Sequence, residues 1–178
     1  MNIPIVLICF NNFKYIDTMI KQLENLCQSP NIIIIDNNSS CNYTQSYLAS
    51  IKKYTLLKQN TNHGHLVWQR PEIFNTLPDK FILSDPDLEF NKNTPTNFLD
   101  IMVKISDDYK SKKVGFALDI SEPEKMFTYN FFDFGYNGIS TICESQKQYW
   151  SNRIQHNEYE MYFADIDTTF CLYNKTYN

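Results

Sequence analysis

Residues 3–12 read Ile3-Pro4-Ile5-Val6-Leu7-Ile8-Cys9-Phe10-Asn11-Asn12, an unbroken apolar run stopped by two asparagines. A run of this length, rich in β-branched residues, fits a strand buried on both faces, as in a parallel sheet. Beyond it Tyr15, Ile16, Met19, Ile20, Leu23 and Leu26 recur at helical spacing, and Pro30 follows. Ile32 to Ile35 is a second buried strand, ended sharply by Asp36-Asn37-Asn38-Ser39-Ser40. Tyr43, Tyr47, Leu48 and Ile51 suit a second helix, and Tyr54 to Leu57 a third strand. Strand–helix–strand–helix–strand is half of a doubly wound α/β sheet. Right-handed crossovers put Asn11 and Asp36 on one edge, the carboxyl edge at which open α/β sheets bind ligands.

Further along, Leu66 to Phe74 reads as a short helix, and Phe81-Ile82-Leu83-Ser84 as another buried strand. Pro95 to Tyr109 carries Phe98, Ile101, Met102 and Ile105 on one helical face, and Val114 to Leu118 suits a strand. The segment 131–142 is aromatic and holds turn signals at Gly135 and Asn137-Gly138. Gln146 to Ile154 reads as helical, and Tyr159 to Phe163 and Thr169 to Tyr173 as strands flanking Asp165-Ile166-Asp167. With no repeat and no linker, 1–178 is expected to be a single domain with a regular α/β first half and a mixed second half.

Composition narrows the function. Hydrophobic residues make up 43% and aromatics 15% of the 178 residues, too much for a disordered chain. Four glycines leave no G-x-G-x-x-G or P-loop motif, which weakens dinucleotide and phosphate-loop readings. A net charge of −4 argues against sequence-independent nucleic-acid binding and against a polybasic membrane anchor. The five cysteines form no C-x-x-C pair and are expected to be reduced, buried thiols. No apolar stretch reaches the ~20 residues of a membrane span and no secretory leader is visible, so a soluble, cytoplasmic protein is expected.

The chemistry concentrates at strand ends. Asp85-Pro86-Asp87 directly follows a buried strand. Two carboxylates held this close repel one another unless a hard cation sits between them and a ligand. Mg2+ or Mn2+ takes one or two carboxylates and completes its shell with phosphate oxygens, so a diphosphate is the expected partner. The competing reading is an Asp-Pro turn with solvated carboxylates. Asp36 can accept from a ribose hydroxyl or a base N–H, or can simply open a turn before a capped helix. Phe10, Asn11 and Asn12 offer an aromatic edge and amides to a base, or form a plain strand-to-helix turn. Asn62-His63-Gly64-His65 is a polar loop, better read as surface than as a metal site. Arg70, one of two arginines, is a candidate for a phosphate or carboxylate. Asp165 and Asp167 are candidates for a general base or for a charged turn.

In order, these clusters resemble the GT-A glycosyltransferases, in the broad sense of family 2. The matching stretches are 4–12, 34–40 (Ile34-Ile35-Asp36-Asn37-Asn38-Ser39-Ser40), Asn62-His63-Gly64 and Leu83-Ser84-Asp85-Pro86-Asp87-Leu88. Residues 77–87 and 167–173 are similar to a subgroup found in bacteria and large DNA viruses, which implies host cytoplasm if the chain is viral. The resemblance implies a GT-A, Rossmann-like, mostly parallel sheet flanked by helices, with a mixed α+β acceptor-side half. Residues 1–90 would be the nucleotide-binding half and 91–178 the acceptor-side half. It implies a metal-dependent hexosyl- or deoxyhexosyltransferase that uses a nucleotide sugar, a UDP-sugar before others, and a glycan or other hydroxyl acceptor. Phe10, Asn11, Asn12, Asp36, Asn38, Asn62, Gly64, Arg70 and Asp85 would bind the donor. Asp87, with Asp85, would hold Mn2+ or Mg2+. Asp167 would lie near the acceptor as base, with Asp165 as the competing choice, and the transfer would invert. Two departures are visible. Asp36-Asn37 stands where many relatives have two acidic residues, and no histidine follows His156 to match their late metal ligand. A non-catalytic module that binds a nucleotide sugar or glycan on the same fold is the alternative.

Overall fold

A computed structural model describes residues 3–126, 128–133, 138–166 and 168–177, with side chains described outside 131–138. Among the described residues ten strands run in chain order: β1 (Ile5–Cys9), β2 (Ile32–Asp36), β3 (Thr55–Lys58), β4 (Lys80–Ser84), β5 (Lys113–Gly115), β6 (Phe131–Asp133), β7 (Gly138–Ser140), β8 (Arg153–Ile154), β9 (Met161–Tyr162) and β10 (Cys171–Asn174). The α-helices are α1 (Phe13–Leu26), α2 (Asn42–Ser50), α3 (Pro71–Phe74), α4 (Phe98–Tyr109) and α5 (Ile142–Gln146). They fall into two compact units, one of residues 1–115 with 168–178 and one of residues 116–167.

The first unit is built on a six-stranded sheet in the order β3-β2-β1-β4-β10-β5. β1 pairs in parallel with β2 and β4, and β2 with β3, while β10 runs antiparallel to β4 and β5. The apolar runs explain the parallel core, because every residue of β1 is buried and only a strand covered on both faces needs that pattern. One face packs against Ile16, Met19, Ile20 and Leu23 of α1 and against Phe98, Met102 and Val103 of α4. An aromatic group gathers elsewhere in the unit. Phe81 and Tyr173 are cross-strand partners whose rings stack 5.4 Å apart, and Trp68 lies 4.6 Å from Tyr173. Strand order reverses at β1, with β2 on one side and β4 on the other, which makes the β1/β4 carboxyl edge the topological switch point.

The second unit holds two small antiparallel pairs, β6 with β7 and β8 with β9, and helix α5. Thr141 and Glu144 form a reciprocal capping box at the start of α5. Trp150 donates its indole N–H to the Leu118 carbonyl at 3.1 Å, and its ring meets Tyr162 edge-on at 5.2 Å.

Four expectations are corrected. The helix expected from Pro95 begins at Phe98, because residues 95–97 form a turn in which the Phe98 N–H reaches the Pro95 carbonyl. The helix expected over 66–74 is a 3-10 turn at Gly64–Gln69, broken before α3 because Pro71 has no N–H to continue it. The strand expected over 114–118 is shifted and shorter, at Lys113–Gly115. The helix expected over 146–154 is a 3-10 turn at Lys147–Trp150 followed by β8, where the contacts of Trp150 outweigh a short periodic signal. All five cysteines are free, but only Cys9 and Cys171 are buried, while Cys27, Cys41 and Cys143 are partly exposed.

Candidate active site

The ends of β1, β2 and β4 share the carboxyl edge, and the polar clusters read from the sequence sit there. Asn11 has φ 57°, in the left-handed region that asparagine tolerates better than most residues. That backbone turns the amide toward the loop after β2. Asn11 donates its backbone N–H to Ser39 Oγ at 3.0 Å, and its Oδ1 accepts from the N–H groups of Ser40 and Cys41 at 2.8 Å each. Asn12 Oδ1 accepts from the Phe10 N–H at 3.2 Å. The Phe10 ring beside them is 44% exposed, a large apolar surface facing solvent.

Asp36 is only 7% exposed, and its Oδ1 accepts from the N–H of Ser39, three residues on, at 2.9 Å. It lines a polar cleft of about 540 Å3 with Asn38, Ser39, Gln45, Lys58 and Gln59. Asn38 is exposed and left-handed, with φ 64°. Asp36, Asn37 and Ser39 are all buried, and the deepest is Asn37, to which sequence reasoning assigned no role. Its Nδ2 donates to Asn62 Oδ1 at 2.8 Å and to the Gly64 carbonyl at 2.9 Å, while its Oδ1 accepts from the His63 N–H at 2.9 Å. Asn62 Oδ1 also accepts from the Gly64 N–H at 2.8 Å. The 62–64 loop is therefore fastened to the end of β2. Gly64 is required by its φ of 66° and not by crowding, since a Cβ there would meet nothing within 4 Å.

At the end of β4, Asp85 is half-buried, Pro86 buried and Asp87 exposed. Thr168 donates its hydroxyl to Asp85 Oδ2 at 2.6 Å, and the Asp85 N–H points back to the Thr168 carbonyl at 3.4 Å. Beyond Asp87, Gln22 of α1 brackets the chain, donating to the Leu88 carbonyl and accepting from the Phe90 N–H at 2.9 Å each. Gln22 and Thr168 left no sequence signal of their own, because each acts on a segment more than sixty residues away.

Burial pushes the Cys9 thiol above its ordinary pKa, while the backbone N–H groups of Thr44 and then Tyr43 pull that of Cys41 down at the start of α2. Arg70 lies outside these clusters' hydrogen bonds and pairs with Glu72 at 3.1 Å. Asp165 is exposed in the second unit, and Asp167 lies outside the described residues. Among the described residues no three His, Cys, Asp or Glu side chains gather into a metal-holding group. The pair Asp85 and Asp87 is an all-oxygen donor set of the kind that Mg2+ and Mn2+ accept when substrate phosphates complete the shell. In chemistry and number the pair fits such an ion. No helix among the described residues is long and apolar enough to cross a membrane.

No family model matches the chain, and no curated protein matches it in sequence. Solved structures align with it. The mannosyltransferase PcManGT from Pyrobaculum calidifontis, in complex with GDP-Man and Mn2+, aligns with a TM-score of 0.53 at 13% identity over 67% of this chain and 36% of that one. S. aureus TarS 1-349 aligns at TM-score 0.49 and 13% identity over 99% of this chain and 48% of that one. The same protein in complex with UDP gives 0.46 and 18%, over 73% and 40%. This chain thus spans less than half the length of each. The likeness to the mannosyltransferase is one of fold, and the mostly parallel α/β sheet expected of a GT-A type is the sheet observed.

Proposed function

We propose that this chain carries the donor site of a metal-dependent glycosyltransferase that takes a nucleotide sugar, a UDP-sugar first, and passes the sugar to a hydroxyl acceptor with inversion. The observation that supports this best is the placement of Asp85 and Asp87 at the end of β4. They share the switch-point edge with Asn11 and Asp36, on a sheet shared with an enzyme solved with GDP-Man and Mn2+. In this reading residues 1–90 form the nucleotide-binding half and 91–178 the acceptor-side half.

The roles follow from the chemistry of each group. Asp36 accepts from the nucleoside in the polar cleft it lines, and Asn38 borders the same cleft. Phe10, Asn11 and Asn12 contribute an aromatic edge and a fixed turn beside it. Asn62 and Gly64, fastened by Asn37, close the neighbouring loop, and Arg70 follows as a further donor-side group. Asp85 and Asp87 hold Mn2+ or Mg2+ through carboxylate oxygens. The ion, when bound, offsets negative charge that grows on the departing nucleoside diphosphate. Asp167, or Asp165 in its stead, takes the proton from the acceptor hydroxyl.

Thermal shift tests the donor site. UDP with Mn2+ at about 100 times its Kd is expected to add ~2.7 kcal/mol, a rise of roughly 5–10 °C for a chain of this size. Asp87→Ala should abolish the metal-dependent part. No rise with UDP, GDP or dTDP, with or without metal, would sink the assignment. Donor turnover distinguishes a transferase from a module that only binds.

A further inference from the structure

We infer that Thr168 is a positioning residue for the metal-holding carboxylate of Asp85, an inference that rests on the donor-site reading above. Its hydroxyl meets Asp85 Oδ2 at 2.6 Å, the length of a charge-assisted O–H···O bond. The partners lie 83 residues apart, so this contact is made by the fold and not by a local turn. The sheet sets it up. Cys171 faces Leu83 in the antiparallel β4–β10 ladder, so the residues just before β10 run alongside those just after β4. The approach to β10 is itself fixed. Phe170 is 1% exposed and packs its ring 4.9 Å from Phe90 and 5.6 Å from Phe98. It holds φ 40°, a conformation unusual for a bulky residue and one that the packing imposes.

The consequence for Asp85 is directional. A carboxylate gripped through one oxygen loses rotational freedom about its Cβ–Cγ bond. The grip also sets the orientation in which it meets a cation. Metal-ligating carboxylates are commonly hydrogen-bonded in this way, and loss of such a partner typically weakens metal affinity about 10- to 100-fold. Threonine suits the task because its β-branch stiffens χ1 and holds the hydroxyl on target. Asp87 receives no such support. It is exposed, and among the described residues no side chain pairs with it. The pair is thus one aimed carboxylate and one adaptable one.

The test measures the Mn2+ concentration at half-maximal nucleotide-supported stabilisation, using whichever of UDP, GDP and dTDP raises the melting temperature most. Thr168→Val and Thr168→Ala are both made, since one keeps volume and the other relieves crowding should valine misfold. Each is expected to need about tenfold or more Mn2+. Metal-free nucleotide binding should stay unchanged, and Thr168→Ser should sit near wild type. A purely structural role would lower the melting temperature without moving the Mn2+ midpoint. Unchanged midpoints in both hydroxyl-free variants, with Asp87→Ala still abolishing the metal effect, would overturn this inference and leave the donor site standing. A wild-type chain whose rise with nucleotide does not depend on metal would overturn the metal role of Asp85 and this inference with it, and no rise with any of the three nucleotides, with or without metal, would overturn the donor site itself.

Discussion

Asn37 does the work of a small scaffold with one amide. It is 2% exposed and uses both its donor and its acceptor to hold the 62–64 loop. Asn37→Ala should cost about 1–3 kcal/mol in urea unfolding, because the Gly64 carbonyl and the His63 N–H lose a partner close to the core. Lys80 and Asp107 give a second residue-scale prediction. The Lys80 ammonium donates to Asp107 at 2.7 Å and holds its carboxyl below the ordinary aspartate value. A lowered folded-state pKa contributes stability above the unfolded value and loses it as pH falls through the folded one. Wild type should therefore exceed Asp107→Asn modestly at neutral pH, and the gap should close in acid, as read from denaturation midpoints across pH. The contact is partly exposed, so solvent keeps it small. The strand-end placement of Asp85 and Asp87 was legible in the sequence because they follow a strand that announces itself. The role of Asn37 was not, since the five consecutive polar residues 36–40 give no sign of which side chains turn inward.

At the scale of elements, the buried parallel strands read easily and the short elements after them did not. β1, β2 and β4 are apolar runs whose burial leaves few alternatives, and each fell where its residues indicated. In 64–74 a short periodic pattern is interrupted by Pro71, and in 146–154 the contacts of Trp150 decided the outcome. Gly64→Ala tests the first of these. With space for a Cβ and a left-handed φ, it should cost ~1 kcal/mol through backbone strain alone. A much larger loss would mean that the loop is also crowded. Phe170→Ala tests the approach to β10. It should destabilise by about 3–5 kcal/mol, as expected for an aromatic truncated in a packed core.

At the scale of the whole chain, residues 116–167 leave after β5 and return just before β10, and these are neighbouring antiparallel strands with Gly115 facing Cys171. The exit and re-entry points are therefore close. Replacing 116–167 by a few Gly and Ser residues should leave the six-stranded sheet able to melt cooperatively, followed by circular dichroism. A featureless melt would mean that the second unit is needed for the sheet to form. The place of β10 has a further consequence, for the order in which the sheet assembles. It is made last among the six strands, yet it fills an interior slot between β4 and β5. While the chain emerges from a ribosome, β1 to β4 can pair, but β4 keeps an open hydrogen-bonding edge and β5 has no partner. During that interval the exposed edge of β4 is a template for unwanted strand pairing. Closing it joins residues about ninety positions apart, a long-range step of the kind that slows folding.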